Sequence, residues 1–249
     1  MRSRRFRSLL PSRASALALA LLLAACGRGA GGGARAGVAG PAPDTFCVTV
    51  ATSRGPLVIA AYRRWAPHGV DRFHALVRDG FLDGNRFYRV LPGFIAQFGA
   101  SDEPARNAHW ETLPLPVDSA RERNRRGTVS FAMLDPASRT HQLFINLKDN
   151  PGLDAQGFAP IGRVVAGMGV ADSLYDGYGD DPRYQLIATL GNRYLARMFP
   201  RLDYITTARI AGGTPAGDGR ALSAAACASY IRSTPTPLDT MPRRRLAPT

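Results

Sequence analysis

The chain has 249 residues, enough for one sizeable domain with extensions, and its 45% hydrophobic content is that of a protein with a buried core. Its formal net charge is +13, and loss of an N-terminal leader carrying five arginines takes that to +8. The remaining positive charge is mostly dispersed arginine, with one cluster at Arg243, Arg244 and Arg245, and an export leader argues against nucleic acid as the partner.

Residues 1–25 read as that leader. MRSRRFRSLLPSRAS is basic and lacks an acid, and the apolar run ALALALLLAAC behind it is too short to span a bilayer comfortably. The run closes on Leu23-Ala24-Ala25-Cys26, which resembles a bacterial lipobox. The resemblance implies a lipid on the Cys26 thiol, cleavage that makes Cys26 the first mature residue, and a membrane-anchored protein on the periplasmic or extracytoplasmic face of the cell envelope. Residues 26–44 are rich in Gly and Ala and cannot bury enough apolar surface to offset ordering, so they read as a flexible tether. With Cys26 lipidated, Cys47 and Cys227 remain. In an oxidising compartment they are either a disulfide tying the tail to the first strand or two unpaired thiols, and the sequence leaves both open.

From residue 45 the chain alternates strand and helix signals. Phe46–Thr52 and Leu57–Ala61 flank Ser53-Arg54-Gly55-Pro56 and predict a hairpin. Pro67 suits a first helical turn, Val70, Phe73, Leu76 and Val77 form one apolar face, and Gly80 suits the helix end. Strand patterns follow at Arg86–Leu91, Gly127–Met133, Gln142–Asn146 and Ile161–Val165, then a helix at Val170–Tyr175 and a strand at Asp203–Ile210. Residues 211–249 are rich in Ala, Gly, Pro and Ser and read as a mostly disordered tail, with room for a short helix around Leu222–Ile231. Many short strands with two or three helices predict a mainly β domain over 45–210, a closed antiparallel barrel capped by helices.

Strand alternation places Gln142, Phe144 and Asn146 on one face, with Leu143 and Ile145 facing the interior. By the same rule Phe87, Arg89 and Leu91 share a face opposite Tyr88 and Val90. An arginine, a glutamine and a phenylalanine then line one external groove. Other chemistry finds little support. His68, His74, His109 and His141 have no metal-ligand spacing, Ser130 lacks a nucleophile elbow, and Asp102, Glu103 and Glu111 read as a solvated loop. The acidic, turn-rich stretch from Asp176 to Pro182 reads as a connecting loop rather than a calcium site.

The stretch RFYRVLPGFIAQFG resembles the central motif of the cyclophilins through Phe87, Tyr88, Arg89, Val90, Leu91, Pro92, Gly93, Phe94 and Gln97. GTVSFAMLDPASRTHQLFINL is similar to the next block through Gly127, Ser130, Ala132, Gln142 and Phe144. NPGLDAQGFAPIGRVVAGMGVADSL is similar to a third through Leu153, Asp154, Gly162, Val164, Gly167 and Met168. The similarity runs in order from about residue 45 to 210.

The resemblance implies an eight-stranded cyclophilin-like barrel and a peptidyl-prolyl cis-trans isomerase that needs no cofactor or metal. It also implies proline-containing polypeptide clients, and a monomer is expected. It carries catalysis to Arg89, Gln97 and Gln142, and substrate binding to Phe94, Ile95, Ala132, Met133, Phe144, Leu153 and Phe158. Gly152 replaces the Trp or Phe common in the family, which implies an open rim and weak cyclosporin binding. Met133 replaces a common asparagine, Phe158 stands for a common histidine, and Phe98-Gly99 stands for Gly-Gly. These departures keep an alternative open, a non-catalytic proline-peptide-binding chaperone or scaffold lipoprotein.

Overall fold

The computed structural model describes residues 40–212 and 224–233. The leader 1–25, Cys26, the tether as far as residue 39 and the Arg243–Arg245 cluster lie outside the described residues.

The chain opens with a hairpin, β1 (Thr45–Thr52) and β2 (Gly55–Tyr62), in full antiparallel register from Thr45↔Tyr62 to Thr52↔Gly55. Only Ser53 and Arg54 form the turn, so Gly55 and Pro56 belong to β2. Helix α1 (Pro67–Arg78) starts on its proline and buries Val70, Phe73, Leu76 and Val77, and Gly80 follows at φ +65°, a left-handed geometry that suits glycine. Then come β3 (Arg89–Leu91), β4 (Ile95–Phe98), α2 (Pro104–Glu111), β5 (Thr128–Phe131), β6 (Leu143–Asn146) and α3 (Pro151–Ala155). The chain continues through β7 (Pro160–Ala166), α4 (Met168–Asp172), α5 (Tyr184–Leu190), α6 (Asn192–Met198), β8 (Ile205–Ile210) and α7 (Ala224–Ser233).

The eight strands make one sheet in the order β3-β4-β6-β5-β7-β2-β1-β8, with every pairing antiparallel. The mainly β reading and the strand number hold. The sheet curls around the core, and the segments entering its two edge strands meet at one bridge, Arg86↔Tyr204, rather than along a continuous ladder. Inside lie Val48, Ile59, Phe73, Phe81, Phe98, Val129, Ile145 and Ile161, all nearly inaccessible to water.

Three expectations are corrected. Seven helices occur among the described residues rather than two or three; α2, α3, α5 and α6 have at most eight residues each, too short for a 3.6-residue repeat to stand out. The strand expected over 86–91 is regular only from Arg89, because Arg86 and Phe87 turn toward the segment before β8, where the Phe87 N–H donates to the Asp203 carbonyl at 2.9 Å. Phe87 therefore joins the core beside Phe98, ring centroids 5.4 Å apart, instead of sharing the face of Arg89.

A second, smaller cluster lies outside the sheet. Cys47 of β1 and Cys227 of α7 form a disulfide among Val58, Ala60, Tyr62 and Trp65, closing 180 residues of chain and seating α7 on the hairpin. Crosslinking so long a loop restricts the unfolded chain strongly. Cys227→Ser is expected to lower unfolding stability by about 2–5 kcal/mol, read from urea titrations of oxidised wild type and variant; coincident curves would refute that contribution.

Candidate active site

The site begins with strand register. Arg89 pairs with Gln97, Gln97 with Phe144, and Phe144 with Ser130, one row across β3, β4, β6 and β5. The adjacent row, Val90, Ala96, Ile145 and Val129, belongs to the core. Since successive side chains alternate between faces, burying the second row turns the first outward.

Over that outward face lies a groove of about 710 Å³. Arg89, Gln97 and Gln142 line it, as do Phe94, Ile95, Ala132, Met133, Phe144, Leu153 and Phe158. All ten residues read from the sequence as the site are thus brought together. Ile95, Phe144 and Leu153 form a buried floor, with Phe94, Ala132 and Phe158 packed against it. Phe158 meets Phe144 edge-on at 5.6 Å between centroids, so it is a wall of the pocket. Gly152 does not line the groove, and a Cβ placed there would meet nothing within 4 Å.

The polar edge is a directed chain of hydrogen bonds. Arg89 Nη1 donates to Gln97 Oε1 at 3.4 Å, and Gln97 Nε2 donates to the Tyr88 hydroxyl at 2.9 Å and to Gln142 Oε1 at 3.1 Å. The Tyr88 hydroxyl donates to Gln142 Oε1 at 2.6 Å. Burial pushes the Tyr88 phenol well above its ordinary pKa, so it stays a neutral donor. Arg89 also donates through Nε to Asp180, and its Cζ lies 6.0 Å from the centroid of the Phe94 ring.

A buried amide network fixes the backbone of the aromatic walls. Asn150 Nδ2 donates to the Phe94 carbonyl at 3.0 Å and to Asn146 Oδ1 at 2.7 Å. Asn124 Nδ2 donates to the Phe158 carbonyl at 2.8 Å, while Asn124 Oδ1 accepts from Ser130 Oγ at 2.8 Å. Asn146 shares the outward side of β6, as alternation predicts, but is enclosed by this network and does not line the groove.

Sequence reasoning missed the far wall. Glu111 of α2 and Tyr184 and Gln185 of α5 also line the groove. The Tyr184 hydroxyl donates to Glu111 Oε1 at 2.5 Å and lies 3.2 Å from His141 Nε2. Burial, reinforced by Glu111, pushes the Tyr184 phenol far up. His141 is fully buried, with Nδ1 2.6 Å from the Gly99 carbonyl, so Nδ1 carries the hydrogen. The only available signals for these residues were a Pro-initiated segment at Pro104 and a tyrosine after the acidic stretch. No group of three or more His, Cys, Asp or Glu among the described residues is placed to hold a metal ion.

The chain is similar to known proteins. Residues 47–189 match the family described as cyclophilin-type peptidyl-prolyl cis-trans isomerase. Peptidyl-prolyl cis-trans isomerase A of Dickeya dadantii is 38% identical over 133 residues, covering 51% of this chain and 70% of the relative. A peptidyl-prolyl cis-trans isomerase of Streptomyces antibioticus is 35% identical over 136 residues, covering 51% and 81%. Among solved structures, a cyclophilin from Hirschia baltica superposes with a TM-score of 0.51 at 20% identity, covering 70% of this chain and 79% of its own, a likeness of fold.

Burial holds the His141 imidazole pKa below its ordinary value, against the opposing pull of the Gly99 carbonyl and Glu111. The folded protein therefore takes up a proton at lower pH than the unfolded chain. This contribution to stability is complete above about pH 6.5 and is lost as pH falls below it. Urea midpoints measured from pH 7.5 to 5 are expected to drop more steeply for wild type than for His141→Asn; parallel profiles would contradict the assignment. The apolar floor, the Arg89–Gln97–Gln142 edge and the matched sequence blocks agree: the chain belongs to the cyclophilin-type peptidyl-prolyl cis-trans isomerases.

Proposed function

We propose that the groove isomerises X-Pro bonds in exported or envelope proteins, with Arg89 stabilising the twisted prolyl amide. The barrier to rotation, about 18–20 kcal/mol, is the resonance of a planar amide, and uncatalysed exchange takes tens to hundreds of seconds. A catalyst of this rotation requires no covalent intermediate. It must bind the twisted amide better than the planar one.

In the twisted state the proline nitrogen becomes pyramidal and gains a lone pair. A guanidinium fixed beside it donates a hydrogen bond that the planar ground state cannot accept. Arg89 is suited to this because a guanidinium presents a rigid planar fork of N–H donors, and it stands where the polar edge meets the apolar floor. Ile95, Phe144 and Leu153 offer the proline ring a dry seat, Gln97 steadies Arg89, and Gln142 faces the substrate backbone. Ala132, small and at the rim, lets that backbone approach.

The observation that carries this reading is that one strand row, Arg89, Gln97 and Phe144, sets the guanidinium beside the floor of Ile95, Phe144 and Leu153. A protease-coupled assay on a proline tetrapeptide tests it. Wild type is expected to accelerate exchange, and Arg89→Ala to lose about 100-fold in kcat/KM with peptide binding largely retained. Undiminished turnover in that variant would remove Arg89 from the reaction. A folded wild type that binds the peptide without acceleration would favour the non-catalytic scaffold.

The setting is a second part of the proposal: the enzyme is tethered through lipid on Cys26 to the extracytoplasmic face of the envelope. The basic leader, its short apolar run and Leu23-Ala24-Ala25-Cys26 support it, as does the Cys47–Cys227 disulfide, a bond typical of oxidising compartments. Expressed in a lipoprotein-exporting bacterium fed labelled palmitate, the full chain is expected to incorporate label and sediment with membranes. Cys26→Ser should do neither; label retained by that variant would refute the assignment.

A further inference from the structure

Arg89 is held from two sides. Gln97 Oε1 accepts from Nη1 within the groove, while on the opposite edge Nε donates to a carboxylate from outside the strand row, Asp180. Asp180 belongs to the connection between α4 and α5, which sequence reasoning treated as a plain loop. Its side chain is 64% exposed against 29% for Arg89, so burial does not place it; the backbone of its turn must.

That turn is braced. The Gly179 N–H donates to the Asp176 carbonyl at 3.0 Å and the Asp181 N–H to the Tyr178 carbonyl at 2.9 Å, with Gly179 in the left-handed region at φ +49°. Tyr178 packs edge-on against Tyr175 and Phe199, at 5.0 and 5.1 Å. Tyr178 and Phe199 also pack on the cluster of Ile187, Leu195 and Leu202 around Tyr88 and Ala100. The α4–β8 connection thus has a small apolar core of its own, docked on the residue next to Arg89, and Asp180 projects from it.

We propose that Asp180 is a positioning residue for the isomerisation, clamping the Nε edge of Arg89 so that its Nη edge is presented to the prolyl amide. The inference rests on the assigned role of Arg89. A planar guanidinium fixed at Nε and at Nη1 has its plane fixed, and a long side chain with many rotamers is held before substrate arrives. A carboxylate competing with substrate would occupy the Nη edge; this one takes the nitrogen farthest from the end of the fork. The pair is solvent-exposed, so its effect must weaken as salt screens it.

The test is exchange NMR on a neutral-capped Ala-Pro tetrapeptide, which measures turnover without a coupling protease, using the full chain. Asp180→Asn is expected to lower kcat about threefold with KM and melting temperature unchanged, and Asp180→Glu to recover part of the loss. Raising sodium chloride to about 1 M should bring wild type toward Asp180→Asn and leave the variant unmoved. In an Arg89→Ala background, Asp180→Asn should change nothing further. An unchanged or increased kcat in Asp180→Asn, with Arg89→Ala crippled, would overturn the positioning role and leave that of Arg89 standing. A fully active Arg89→Ala would overturn both.

Discussion

The groove depends on one constraint, the register of β4 against β6. Gln97 faces Phe144 and Ala96 faces Ile145, and β3 and β5 extend both rows on either side. A slip of one residue would exchange the rows, placing Arg89, Gln97 and Phe144 in the core and Val90, Ala96 and Ile145 in water. Burial of that second row makes such a slip prohibitive. Gly99 secures the end of β4: at φ +99° a Cβ there would stand 2.5 Å from the His141 carbonyl oxygen. The backbone can come that close to the segment carrying Gln142 into β6 only without a side chain. Core packing and site geometry are therefore the same arrangement seen from two sides.

Above this sheet the site is completed by two different kinds of chemistry. Beneath the aromatic walls, Asn124, Asn146 and Asn150 spend their amides on backbone carbonyls and on one another, so the walls are set by hydrogen bonds of fixed direction. On the opposite flank the wall is apolar packing. The α4–β8 connection buries Ile187, Leu195 and Leu202 against Tyr88 and carries Tyr184 and Gln185 to the groove. Tyr88 links the two, with its ring in that cluster and its hydroxyl between Gln97 and Gln142.

The errors of sequence reading share a cause. Phe87 and Tyr88 follow strand alternation only if the strand is regular from Arg86, and tertiary pairing with the segment before β8 breaks that regularity. Phe87 then enters the core, and Tyr88 becomes the support of the site. Strand β4 was hidden because Ile95–Phe98 follows directly on the turn Pro92-Gly93-Phe94 and is buried at Ile95, Ala96 and Phe98, without a clean alternation. Glu111 read as loop because α2 buries only Asn107 and Trp110 and so carries little apolar pattern. A local pattern reports local burial, and each of these residues is placed by a distant partner.

What the sequence determined by itself was the set of parts: the hairpin, helix α1, the alternating faces of β6, and ten residues that meet in one groove. These are legible because burial on one face imposes a period of 2.0 or 3.6 on neighbouring residues, and because the ordered motifs are contiguous. Tertiary structure alone decided which of Phe87 and Tyr88 faces the site, that Glu111 and Tyr184 wall it, that Asp180 reaches Arg89, and that Cys47 is bonded to Cys227. Each of those is a contact between segments far apart in the chain, from 54 residues for Tyr88 and Gln142 to 180 for Cys47 and Cys227. No repeat in the sequence records such a contact, because its energy comes from the meeting of two surfaces and neither segment carries it alone.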